Sequence, residues 1–156
     1  MKQAIHLLEP SLLTPDKYFK VYSMDPSLLF VKIGGQFYDE TSDDEAPLVL
    51  GLVMMLLRKL FLNKLKDQRE TEIDKQVNDD PQVLRNKKQN FDIPLQAIKK
   101  VELKTKSTKH TNGTDNGVLF LYMEDGTEKK YTIPSFVTRK AVINFFESQG
   151  IVVATV

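Results

Sequence analysis

The sequence predicts an α+β fold, mainly antiparallel β, in a single domain over residues 1–156. Two observations predict it. Phe91 to Ile133 contains three strand-like runs separated by two turn signals, and from Pro47 the apolar spacing changes from period two to period 3.6. At 156 residues the chain is long enough to bury a core without disulfide or metal staples.

Ala4 to Leu8 reads as a short strand or turn, followed by an irregular connection at Pro10, Pro15 and Asp16. Tyr18 to Met24 alternates Phe19 and Val21 with Lys20 and Tyr22, and Leu28 to Ile33 is β-branched and aromatic enough for a buried strand. Asp25-Pro26-Ser27 turns the chain between them. Gly34-Gly35 allows a bend before Gln36-Phe37-Tyr38, and Asp39 to Glu45 is an acidic loop placed before a helix, whose positive dipole end favours it.

A helical insertion is expected over about 46–77. Leu50, Val53, Met54, Leu57, Phe61 and Leu65 form one stripe, yet Leu48 to Leu57 is apolar on every side apart from Gly51. The charge-free run Ala46 to Leu57 would make about 18 Å of helix, too short for a hydrocarbon core of about 30 Å. Ile73 and Val77 extend the helix weakly towards Asp80 and Pro81, which suit the cap and first position of a new turn.

In the stretch that follows, Val101, Leu103, Thr105 and Ser107 alternate with Glu102, Lys104 and Lys106. Val118 to Met123 reads as a central strand, with deep burial expected of Val118, Phe120 or Leu121. Asp125-Gly126 is a strong hairpin signal before Glu128 to Ile133. Ser135 or Thr138 can cap a last helix with Val137, Ala141, Val142, Phe145 and Phe146 on its apolar face and Gly150 at its end. Ile151 to Val156 is β-prone and uncharged, either an added edge strand or a tail that pairs with another chain.

Composition narrows the chemistry. Twenty-two basic residues face 21 acidic ones, so no global field draws the chain to nucleic acid or anionic lipid. The absence of cysteine removes thiolate nucleophiles and thiolate metal sites. Neither His6 nor His110 has a metal-ligand spacing, and no nucleophile elbow, phosphate loop or dinucleotide fingerprint is present. An enzyme is therefore not expected, nor a cofactor or metal. One basic region runs from Arg85 to Lys109, interrupted by Asp92 and Glu102. It reads as the solvated face of a strand, with Lys99, Lys100, Lys104 and Lys106 as a candidate patch for an anionic partner. Nucleic acid is not expected there, because exposed aromatics for reading bases are missing.

The meander entered by Ile93-Pro94-Leu95 with Ile98, continued by Val101-Glu102-Leu103, Gly117 to Leu121 and Asp125-Gly126, and closed by the helix around Phe145, resembles the bacterial pleckstrin-homology-like (PH-like) domains. The resemblance implies a partly open barrel of two packed sheets capped by the last helix, in a family used for binding and assembly. The helix from Pro47 is an insertion relative to that barrel, and Asp25-Pro26-Ser27 lacks the basic cluster of phosphoinositide-binding members. The expected function is a non-enzymatic binding or assembly module, self-associating through helix 47–65 with Leu48, Leu52, Met55 and Leu56 among the contacts. The alternative is a peripheral membrane protein with that helix in the lipid interface and Arg58, Lys59, Lys64 and Lys66 at the headgroups. The amino-terminal apolar run, stopped by Glu9 and Pro10, is too brief for a signal-peptide core, so the expected location is the cytoplasm or the periphery of a membrane.

Overall fold

Three antiparallel strands open the chain: β1 (Ala4–Glu9), β2 (Lys17–Ser23) and β3 (Ser27–Gly34). They belong to a computed structural model that describes residues 2–14, 16–34 and 50–156, with side chains in the helix beginning at Leu50 described from Asn63 onward. The acidic stretch, the Gly34-Gly35 bend beyond Gly34 and Leu48 lie outside the described residues. A helix α1 (Leu50–Asp79) and a short helix α2 (Pro81–Arg85) lead to β4 (Phe91–Pro94). A 3₁₀ turn (Leu95–Ala97) then enters the second meander, β5 (Ile98–Lys104), β6 (Val118–Met123) and β7 (Glu128–Thr132). Helix α3 (Arg139–Glu147) and strand β8 (Val153–Thr155) complete the fold.

The eight strands among the described residues form one sheet in the order β4-β3-β2-β1-β7-β6-β5-β8. All its pairings are antiparallel except β5 with β8. The two meanders join where Leu8 of β1 lies opposite Thr132 of β7. Six strand spacings separate β4 from β5, about 29 Å in a flat sheet. Three residues and their flanking bonds reach only about 14 Å. The sheet must therefore curl until its ends approach, although no ladder pairs β4 with β5 and the sheet is not closed.

The curl creates one interior shared by both meanders, in which Leu7, Phe19, Leu28 and Phe30 meet Val101, Leu103, Leu119 and Leu121. Helix α3 fills the same interior with Val142, Phe145 and Phe146, and Thr138 caps it by accepting from the Ala141 amide. The outer face of β1–β3 is also covered, because Tyr18, Tyr22, Leu29 and Val31 pack with Ile73, Val77 and Leu84. Burial on both faces explains why β2 and β3 carry near-continuous apolar runs.

Several expectations need correction. The helix runs to Asp79, past the expected 77, and Ile73 and Val77 are its buried anchor rather than a weak extension. Strand β5 stops at Lys104 instead of reaching Ser107. The following loop takes over the hydrogen bonding: Ser107 Oγ donates to the Asp115 carbonyl at 2.9 Å and Arg139 reaches the Thr105 carbonyl at 2.6 Å. At Gly117 a Cβ would lie 2.2 Å from the Lys104 carbonyl oxygen, so only glycine lets the loop return to β6 there. Leu121 is buried in the shared interior as expected, and Val118 and Phe120 are buried too, 6% and 9% exposed, but on the other face of β6, where Phe120 lies opposite Glu102 and Lys130. Val101 and Leu103 pair with Leu121 and Leu119, which fixes those two as the core side of β6. The uncharged tail resolves as an edge strand on β5 of the same chain.

Candidate functional site

Two surfaces bear on function, the attachment of α1 and the outer face of β5–β7. Helix α1 meets the first meander through a polar clasp. Lys20 on β2, only 9% exposed, places Nζ 3.1 Å from Glu70 Oε2 and 2.8 Å from Asp74 Oδ1. Glu70 and Asp74 are four residues apart and so share one helix face. His6 Nε2 lies 3.0 Å from Glu70 Oε2, and the Tyr22 hydroxyl donates to Asp74 Oδ1 at 2.6 Å. Burial works to raise the Glu70 pKa, but the hydrogen bonds and charges of His6 and Lys20 outweigh it and hold the carboxyl below its ordinary range. The Tyr22 phenol is pushed well above its ordinary value by burial and by the Asp74 carboxylate.

Just upstream of the clasp the described part of the helix is exposed. Leu65, on the apolar stripe, is 45% exposed, and Lys64, Asp67, Gln68 and Arg69 are exposed around it. The candidate contacts Leu52, Met55 and Leu56 lie on α1 with side chains outside the described set, and Leu48 lies outside the described residues altogether. The strand register gives the direction of this segment. Moving from Asp74 to Glu70 passes from Tyr22 to Lys20 and His6, which leads along β1–β2 towards their connecting loop. That loop displays Leu12 and Leu13, each 97% exposed. It is braced by Thr14 N donating to Ser11 Oγ at 3.1 Å and Ser11 N donating to Asp16 Oδ1 at 2.9 Å. His110 Nε2 lies 2.7 Å from Asp16 Oδ2 and ties the polar loop Thr108–Asn116 to it.

The candidate lysines do not all share one place. Lys100 and Lys104 stand on the outer face of β5, Lys99 sits at the register shift between Ile98 and Lys100, and Lys106 is exposed beyond the strand. Sequence reasoning missed what they cover. Phe120 and Tyr122 lie side by side on the same face, their ring centroids 6.2 Å apart and their planes 16° from parallel. Lys104 Nζ lies 4.5 Å from the Phe120 centroid, Lys130 Nζ 5.9 Å from it, and Lys100 Nζ 5.8 Å from Tyr122. Glu102 sits between them, accepting from Lys100 and from the Tyr122 hydroxyl at 2.9 Å, and these bonds lower its pKa and raise that of the phenol. The parity of Val101 and Leu103 was the available signal, since their pairing across the hairpin decides which side of β6 faces out.

Among the described residues no group of histidine and carboxylate side chains could hold a metal ion, and no helix is long and apolar enough to cross a membrane. The chain matches no family model, no curated protein and no solved structure. Its own geometry is therefore the basis for reading a function.

Proposed function

We propose that the protein is a non-enzymatic binding or assembly module with a PH-like barrel that self-associates through the apolar half of α1. The strand order, the two antiparallel meanders, the short β4–β5 link and the placement of α3 support the barrel. The observation that carries self-association is the partial use of the described part of α1: from Asn63 to Asp79 the residues buried against the body are Ile73 and Val77. Leu65 remains 45% exposed, and further back in the sequence Leu48 to Leu57 is apolar on every side apart from Gly51. An apolar surface of that extent marks an interface or a membrane contact.

Charge favours the protein interface. Helix α1 points towards a loop that displays Leu12 and Leu13, where Glu9 at the end of β1 is paired with Lys17 and Asp16 with His110, so the loop adds no free cation for an anionic bilayer, and the acids Asp39 to Glu45 precede the helix in sequence. Symmetric pairing of identical patches is the commonest way for soluble chains to cover such a surface. Sedimentation velocity without detergent tests this: the wild type forms a concentration-dependent oligomer, and Leu52→Glu with Leu56→Glu leaves a monomer of unchanged helix content. A monodisperse wild-type monomer overturns the reading. Flotation with liposomes that the double variant loses would assign the helix to a lipid interface.

A further inference from the structure

The outer face of β5–β7 combines features that an all-lysine strand would not. Cross-strand registry aligns Lys100–Tyr122–Glu128 and Glu102–Phe120–Lys130 in adjacent rows, with Lys104 opposite Val118 in the next. Two near-parallel, stacked aromatic rings thus sit in the middle of a sheet surface, flanked by three ammonium groups at 4.5, 5.8 and 5.9 Å from their centroids. Helices α1 and α2 pack on the outer face of the first meander and α3 in the interior, so none of the described packing clusters covers this face. We propose that it binds single-stranded nucleic acid, with Tyr122 and Phe120 as stacking platforms for bases and Lys100, Lys104 and Lys130 as phosphate contacts.

The chemistry favours this occupant over a simple polyanion. Aromatic faces stack on any base, and lysines tracking the backbone supply attraction that is independent of sequence. The lysine tails are long and flexible. When their ammonium groups turn to phosphates they uncover Phe120, which they now shield to 9% exposure, while Tyr122 is already half-buried rather than enclosed. A duplex offers its phosphates but keeps its bases stacked inside, so it cannot use the rings. Glu102 and Glu128 are the acids in the rows that carry the rings, and Glu102 keeps the Tyr122 hydroxyl as its donor when Lys100 turns to a phosphate. The face belongs to β5–β7, whereas the described anchor of α1 lies on β1–β3, and its test does not depend on how that helix is covered.

Fluorescence anisotropy with a labelled twelve-nucleotide oligothymidine, at increasing salt, provides the test. The wild type binds with a log–log salt slope of about −2, as expected for three phosphate contacts on a single strand. Tyr122→Leu weakens binding about tenfold with the slope unchanged, because a stacking contact is lost and no charge is. Lys104→Gln lowers the slope by about 0.7, and a duplex of the same length binds more weakly than the single strand. Melting temperatures confirm that each variant is folded, and Lys130→Gln stands in for any that is not. No binding at low salt overturns the proposal. So does a Tyr122→Leu variant with wild-type affinity, which would leave mere adsorption of polyanions, or tighter capture by phosphatidylserine vesicles than by the oligonucleotide, which would assign the face to lipid.

Discussion

Leu121 and Phe120 are neighbours in sequence and opposites in role. Leu121 is fully enclosed in the shared interior, so Leu121→Ala removes buried methyl groups and leaves a cavity, at a cost of about 2–5 kcal/mol. Phe120→Ala is expected to cost only about 1–2 kcal/mol, since the cover it loses is made of lysine tails that can settle into the gap. Urea unfolding of the two variants checks the order, and a larger loss at Phe120 would contradict the assigned faces. Of the carboxyls held below their ordinary range, the partly buried Asp115 and Glu70 bear most on the response to acid. Burial of Asp115 would raise its pKa, but hydrogen bonds from the Thr108 and Thr111 hydroxyls and the Thr108 and Gly117 amides hold it below the ordinary range, as Glu70 is held by His6 and Lys20. A depressed carboxyl contributes stability that is fully present above its unfolded value, about 4, and is lost as pH falls through the lower folded value. The urea midpoint is therefore level down to about pH 5 and drops below pH 4. Asp115→Asn should flatten part of that drop, and an unchanged profile would remove Asp115 as a contributor.

Helix α1 is the element on which sequence and structure teach different things. Its apolar first half was visible from composition alone, whereas its anchoring was not, because Lys20, Glu70 and Asp74 read as ordinary surface charges until the strand and helix faces are brought together. Breaking a fully buried pair costs about 3–5 kcal/mol. Removing the lysine takes the shared cation from two partly buried carboxylates, leaving Glu70 its His6 contact and Asp74 the Tyr22 hydroxyl. Their side chains are 24% and 32% exposed, so Lys20→Met is expected to cost about 1–3 kcal/mol. Hydrogen exchange locates the loss: amides from Asn63 to Asp79 should exchange about tenfold faster while those of β6 keep their protection. Adding Glu70→Gln and Asp74→Asn to Lys20→Met should restore most of it, and failure to do so would mean that Ile73 and Val77 alone hold the helix. The α2 cap, by contrast, was legible in full, since Asp80 and Pro81 form a local signal and Asp80 does accept from the Gln82 amide.

At the scale of the molecule, local patterns revealed the strands and hid their arrangement. The Asp125-Gly126 hairpin follows from neighbouring residues, with Thr127 N donating to Asp125 at 2.8 Å. The contact of β1 with β7 and the parallel placement of β8 have no such signal, because each joins residues distant in sequence. The aromatic face was concealed for a related reason: Val118 to Met123 is apolar on both sides, and only its registry with β5 and β7 separates inside from outside. The meeting of Leu8 with Thr132 has a further consequence, for the order in which the chain can fold. Each meander can zip locally, but the interior they share stays open until the chain's last third supplies β7 and then α3. A ribosome-bound chain made only as far as β7 lacks the cover that Val142, Phe145 and Phe146 give to Leu7, Phe19, Leu28 and Phe30, so committed folding waits until α3 has been made and is slowed by contacts of such long separation.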